Sequence, residues 1–224
     1  MQDRLRSAPL FAALDDDAAA ALRASMVELR LSKGEVLFHE GEPGEKLYLI
    51  ETGKIKLGHT AVDGRESLIA VLGAGEMLGE LSLFDPGPRT ATASAVTATK
   101  LLSMGHEALL PWLVGRPDLA VALLAALARR LRRTNEALAD LVFSDVPGRV
   151  AKALLELGSK FGEPAPEGLV VSHDLTQEEL AQLGGASRET VNKALADFSQ
   201  RGWIKIEQRA VTLLDVDRLE RRAR

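Results

Sequence analysis
The chain has 224 residues, 46% of them hydrophobic, with 28 basic and 32 acidic side chains and a formal charge of −4. That length suits one or two domains. The negative balance excludes indiscriminate nucleic-acid binding, which draws on Lys and Arg neutralising phosphates. Any DNA contact must therefore be local.

Cysteine is absent, which excludes disulfides, thiolate nucleophiles, zinc fingers and cysteine-ligated clusters together. The four histidines, His39, His59, His106 and His173, lack the i,i+2 or i,i+4 spacing that puts two imidazoles on one metal. They read as surface or structural residues. Nothing pairs a nucleophile with a base, so enzyme function is not expected. No apolar run approaches the ~18 residues of a membrane-spanning helix, and the N-terminus has no signal pattern, so the expected location is the cytoplasm.

In chain order, a small helix is expected around Pro9 to Arg30. Short apolar stretches follow: "EVLFHEG", "KLYLIETGKIKLGHT", "ESLIAVLGAGEMLG" and "ATASAVTATKLLSM". Glycines at 34, 41, 44, 53, 58, 64, 73, 75 and 79 punctuate them, as turns do in a roll of short strands. "VDG" at 62–64 reads as one hairpin tip. An all-β region over about Ser32 to Met104 results. Inside it, "GELSLFDPGPRTATA" (79–93) sets one carboxylate, Glu80, and one guanidinium, Arg89, among small residues and Pro-Gly turns.

After Pro117, "DLAVALLAALARRLRRTNEALADLVFSD" has no glycine or proline and is rich in strong helix formers. A single long helix is expected. Leu124, Leu127, Leu131, Thr134, Leu138 and Leu141 step by 3 and 4 alternately, the seam of a two-stranded coiled coil, which predicts a homodimer. Thr134, followed by Asn135, breaks the apolar seam. It either sets register or joins its partner copy in binding something at the interface. Asp145 then suits the N-cap of a new helix with Pro147 in its first turn, and a hinge fits there. The segment "GEPAPEG" (162–168) reads as an exposed proline-rich linker.

Residues 146–224 hold 12 basic and 12 acidic side chains, so pattern rather than charge must reveal any DNA-binding part. Thr176 and Glu179 form a capping box before a short helix carrying Leu180 and Leu183 inward. Gly184 and Gly185 break it. Ser187 caps a second helix whose Val191, Leu195 and Phe198 make an apolar stripe, leaving Arg188, Glu189, Asn192 and Lys193 on another face. "WIKIE" and "AVTLL" around Gln208 and Arg209 supply a hairpin with Arg209 at its tip, placed for a phosphate. This is a winged helix-turn-helix. Arg188, Glu189 and Lys193 suit guanine and cytosine edges; alternatively Glu189 and Lys193 form an ordinary i,i+4 pair.

Taken together, and through "FDPGPRT", "LARRLRRTN", "DVPGRVAK" and "SRETVNKALADF", the chain resembles the Crp/Fnr family of bacterial transcription regulators. The resemblance runs along the whole chain and is strongest to the actinobacterial cAMP receptor protein (Crp/GlxR) branch. It implies an α+β fold: a jelly-roll-like cyclic-nucleotide-binding β-roll (1–117), a dimerisation helix (118–144) and a winged helix-turn-helix DNA-binding domain (145–224). It also implies that 79–93 is a phosphate-binding cassette. There Arg89 would hold the cyclic phosphate, groups around Leu81, Ser82 and Thr90 would complete its shell, Glu80 would accept from the ribose 2′-hydroxyl, and Gly79 would leave room. Thr134 and Asn135 would contact the adenine, one from each subunit, with Arg130 either a further contact or a surface charge.

The implied ligand is cAMP. Thr90, however, follows the arginine as a threonine often does in cGMP-binding eukaryotic domains, and a regulator of the same fold without cAMP dependence is the other alternative. The implied partners are double-stranded DNA with TGTGA-like palindromic half-sites, a second copy of the chain and RNA polymerase. DNA contacts would come from Thr176, Gln177, Ser187, Arg188, Glu189, Asn192, Lys193 and Arg209. Lys193 stands where the enterobacterial members have arginine, giving a point charge in place of a planar fork.

Overall fold
The structure, a computed structural model, describes residues 8–60, 66–183 and 185–223. The expected hairpin tip at 62–64 and Gly184 lie outside them. Contacts divide the described residues into two compact units, one holding 8–59 with 70–133, the other 60 and 66–69 with those from 134 onward.

The first unit opens with two short helices, α1 (Pro9–Ala12) and α2 (Asp16–Ala24), the latter capped by the Asp15 carboxylate on the Ala18 amide at 2.8 Å. The helix expected as far as Arg30 stops at Ala24. Val27–Leu31 is instead strand β1, paired antiparallel with β8 (Thr99–Gly105) from Val27 opposite Ser103 to Leu31 opposite Thr99. The β-branched start and the free edge of β8 outweigh the helical character of the preceding alanines.

Strands β2 (Val36–Phe38), β3 (Lys46–Thr52), β4 (Ile55–Thr60), β5 (Glu66–Leu72), β6 (Met77–Leu78) and β7 (Thr92–Ala95) follow the expected apolar runs. They form two four-stranded sheets, ordered β1-β8-β3-β6 and β2-β7-β4-β5. Strand β3 is buried on both faces, which explains its unbroken "LYLI". Leu47 and Leu49 enter a core with Phe11, Leu22, Leu102 and Leu109, whereas Ile50 enters a second core with Ile55, Leu57, Leu78, Ala93 and Leu101.

A helix not foreseen in the sequence, α4 (His106–Gly115), follows β8. Pro111 within it suggests a break; the proline removes one amide donor, and burial of Leu109 holds the helix in place. The long helix α5 spans Pro117–Phe143 as expected, with Leu119 and Leu123 buried at its start. Val121, Leu124, Leu131, Leu138 and Leu141 are each more than half exposed in the single chain. Among the described residues no single helix is long and apolar enough to cross a membrane.

In the second unit, α6 (Val146–Phe161) starts at Asp145, whose carboxylate accepts from the Gly148 amide at 2.9 Å. The segment at 162–168 is not a linker. Gly162–Ala165 forms β9, which turns into β10 (Gly168–Ser172) and pairs with it, Gly168 opposite Ala165. Pro164 is tolerated because β9 is an edge strand of the sheet ordered β11-β12-β10-β9. Helices α7 (Gln177–Leu183) and α8 (Arg188–Gln200), strands β11 (Ile204–Glu207) and β12 (Ala210–Leu213), and a closing helix α9 (Val216–Arg222) complete it. Val150, Leu154, Leu180, Val191, Leu195, Phe198, Val211 and Leu219 are all buried.

Candidate functional sites
Two constellations stand apart from the packing. The first lies after β6, where Gly79 takes φ +78° and leads into the single-turn helix α3 (Leu81–Phe84). The loop beyond it is tied down through the Arg89 backbone: its amide donates to the Glu42 carbonyl at 2.8 Å, and its carbonyl accepts from the Gly41 amide at 2.9 Å.

The Arg89 side chain is therefore drawn inside, where the residue is only 4% exposed. Nη1 donates to the Gly79 carbonyl (2.8 Å) and Nη2 to the Lys46 carbonyl (2.9 Å), and Cζ lies 4.3 Å from the centre of the Phe38 ring. Nε is buried without a hydrogen-bond partner. No described carboxylate forms an ion pair with this guanidinium. A buried charge compensated only by carbonyl dipoles and an aromatic face is costly, and an anion is the natural counterpart.

Glu80 is 1% exposed and does not pair with Arg89. A ligand-free Glu80–Arg89 salt bridge, which these two opposite charges would also allow, is absent. The Glu80 Oε1 instead accepts from Arg130 Nη1, while Oε2 is buried without a partner. Arg130, its side chain still 40% exposed, is thus the counter-ion of Glu80. The region offers one orphan donor and one orphan acceptor, the complement of a ligand bearing both an anion and a hydroxyl.

The other residues expected to join it fit that description unequally. Ser82 is buried, and its hydroxyl reaches the Pro88 carbonyl only at 3.4 Å, a weak bond. Leu81 and Thr90 are exposed. Thr134 and Asn135 are exposed on α5. Two glycines are sterically required: a Cβ on Gly79 would lie 2.6 Å from Arg89 Nη1, and one on Gly44 would lie 2.3 Å from the Ser82 Cβ. Gly44, Phe38 and the Lys46 carbonyl escaped the sequence reading. Only the Pro-Gly pair in "GEPGEKLY" hinted at a turn there.

The second constellation is the helix-turn-helix. Both halves of the capping box form: the Glu179 amide donates to Thr176 Oγ1 (3.2 Å) and the Thr176 amide to Glu179 Oε2 (2.7 Å). Ser187 Oγ accepts from the Thr190 amide at 3.3 Å, starting α8. Thr176, Gln177, Ser187, Arg188, Glu189 and Lys193 are exposed and Asn192 is half-buried. Glu189 and Lys193 form the i,i+4 pair, at 2.7 Å and largely in solvent. Arg209 is exposed at the hairpin tip with φ +63°, its carbonyl accepting from the Asp174 amide at 3.0 Å. Lys205 on the same hairpin lies 3.1 Å from Glu207 and 3.9 Å from Glu167, so Arg209 carries the tip's charge.

Among the described residues no group of His, Asp and Glu side chains is gathered to hold a metal ion.

Residues 28–113 match the family described as cyclic nucleotide-binding domain, and residues 148–222 the family described as Crp-like helix-turn-helix domain. The chain is 53% identical over all 224 residues, and over the whole of the relative, to the CRP-like cAMP-activated global transcriptional regulator of Mycobacterium tuberculosis. It is 36% identical to the cyclic AMP receptor protein of Thermus thermophilus, covering 96% of this chain and 97% of that one. The crystal structure of Thermus thermophilus catabolite activator protein superposes with a TM-score of 0.57 at 35% identity, covering 96% and 98% of the two chains. A buried arginine set for an anion, a capped helix-turn-helix with its wing, and full-length similarity to regulators rather than enzymes converge: the chain belongs to the Crp/Fnr family of transcriptional regulators.

Proposed function
We propose that the chain is a homodimeric, cAMP-responsive transcription factor that binds palindromic DNA and, in regulating transcription, engages RNA polymerase. The observation that carries the reading is Arg89, a buried guanidinium with an unpartnered Nε and no carboxylate beside it. A cyclic phosphate supplies that missing charge through charge-assisted hydrogen bonds, roughly twice as strong as neutral ones. The free Glu80 Oε2 accepts a ribose hydroxyl, and Ser82 exchanges its weak bond to Pro88 for a phosphate oxygen. Thr90 borders the phosphate, and Thr134 and Asn135, exposed on α5, are the adenine contacts.

The apolar stripe on α5 is the dimer seam, so each nucleotide sits where a signal can pass between protomers. Ligand binding shifts the population of winged-helix orientations in proportion to its differential affinity for them. The two α8 helices then enter successive major grooves, about 34 Å apart. Arg188, Glu189 and Lys193 read base edges, with Asn192 beside them. Thr176, Gln177, Ser187 and Arg209 hold phosphates. On forming base contacts Lys193 gives up its pairing with Glu189, an exposed pair worth only ~0.3 to 0.5 kcal/mol.

Isothermal titration of the dimer with cAMP and with cGMP, repeated on Arg89→Ala, tests the reading. Micromolar cAMP binding that disappears in the variant is expected. Stronger cGMP binding reassigns the signal to Thr90, and absence of both denies the nucleotide function.

A further inference from the structure
The guanidinium of Arg149, in the first turn of α6, joins two elements that are remote in sequence. Nη1 donates to the Ser144 carbonyl at 2.7 Å, just past the end of α5, and Nη2 donates to the Gly185 carbonyl at 3.2 Å, in the turn between α7 and α8. The Ser144 carbonyl is one of those left over at a helix end and needs a partner. Gly185 has φ +58°, and a Cβ there would lie 3.1 Å from Leu141 Cδ2, so the side chain of the last α5 turn approaches the same turn. Asp140, also in that last turn, pairs with Lys152 of α6.

We propose that Arg149 is a positioning residue that fixes the turn of the helix-turn-helix to the end of the long helix, so that the orientation of α8 is set from α5. Two features support a transmitting rather than a merely stabilising role. The two nitrogens of one rigid plane serve two separate elements, which fixes direction as well as distance. The Ser144 and Gly185 acceptors are backbone carbonyls, so this link tracks the main chain at the end of α5 and in the turn. Its part in ligand response rests on the cAMP-responsive reading above; its part in geometry does not.

The absence of native cysteine permits a direct test. Cysteines at the exposed positions Ala139 on α5 and Ala196 on α8 are spin-labelled, the labelled protein is diluted into unlabelled protein, and the distance distribution is measured with and without Arg149→Ala. One narrow distribution that broadens and shifts in the variant is expected. An unchanged distribution overturns the proposal. Should Arg149→Ala fail to fold, Arg149→Lys decides in the same way, because one ammonium does not reproduce a planar two-nitrogen bridge.

In the unlabelled protein, Arg149→Ala is expected to leave cAMP affinity unchanged. The preference of the cAMP-saturated dimer for a palindromic over a scrambled duplex is expected to fall about tenfold, the loss of a charge-assisted hydrogen bond. An undiminished preference also overturns the proposal. If the parent shows no response to cAMP, the functional reading fails, and the distance measurement still decides the role of Arg149.

Discussion
Arg89 shows how little of a side chain's role follows from its identity. Its place after "FDPGP" suggests an anion partner, yet the same residues allow an internal bridge to Glu80. What separates the two is where the nitrogens point: to the carbonyls of Gly79 and Lys46, with Nε left over. Gly79→Ala tests that seat, because the new Cβ meets Nη1 at 2.6 Å and the φ of +78° disfavours any side chain by about 1 kcal/mol. Calorimetry is expected to show weakened cyclic-nucleotide binding together with a lowered melting temperature. At the hairpin tip, Arg209 holds φ +63°. Arg209→Gly relieves the backbone while removing the proposed phosphate contact. DNA affinity should fall alike on all sequences, the slope of log K against log salt should lessen by about one, and thermal stability should not drop.

At the level of elements, local signals do most of the work in the DNA-binding half. Ser187 caps α8 as its position before the apolar stripe implies. Ser187→Ala should cost about 1 kcal/mol in urea unfolding of that module. The β-rich half depends more on what the strands bring together. Glu51 is buried in β3, with Arg23 from α2 and Lys100 from β8 on its carboxylate. Burial pushes its pKa upward, but the hydrogen bonds from Arg23 and Lys100 outweigh that and hold it below the ordinary carboxylate value. A depressed folded-state pKa contributes stability that is complete above the unfolded value of about 4.3 and is lost as pH falls through the folded one. Glu51→Gln should therefore lower stability at pH 7 and flatten the acid limb of the unfolding profile below about pH 4.3, read by thermal melts across pH.

For the molecule as a whole, the stripe on α5 leaves apolar side chains exposed in the single chain. Leu124, Leu131 and Leu138 are each about 61–65% exposed, and burying a leucine contributes ~1.5 to 3 kcal/mol. Leu131→Glu places a charge in the middle of that seam. Sedimentation velocity is expected to show a monomer, and the preference for palindromic over scrambled duplex DNA should vanish with it.

Periodicity and capping are local, so the sequence by itself determined the strand runs, the long helix with its seam, the capping box and the two helices of the DNA-binding motif. Single-chain chemistry also brought Arg89 and Glu80 into one short stretch. Several features depended on partners distant in the chain, and only the tertiary structure decided those. Val27–Leu31 is a strand because β8 offers an edge. Leu109 anchors α4 despite Pro111. Glu80 faces Arg130, fifty residues away, in place of Arg89. Nothing local singles out Arg149, and the Ser144 and Gly185 carbonyls to which it donates meet only once the chain has closed on itself. A pattern within one turn of helix or one strand specifies what a residue can do, whereas the choice of partner is made by packing across the fold.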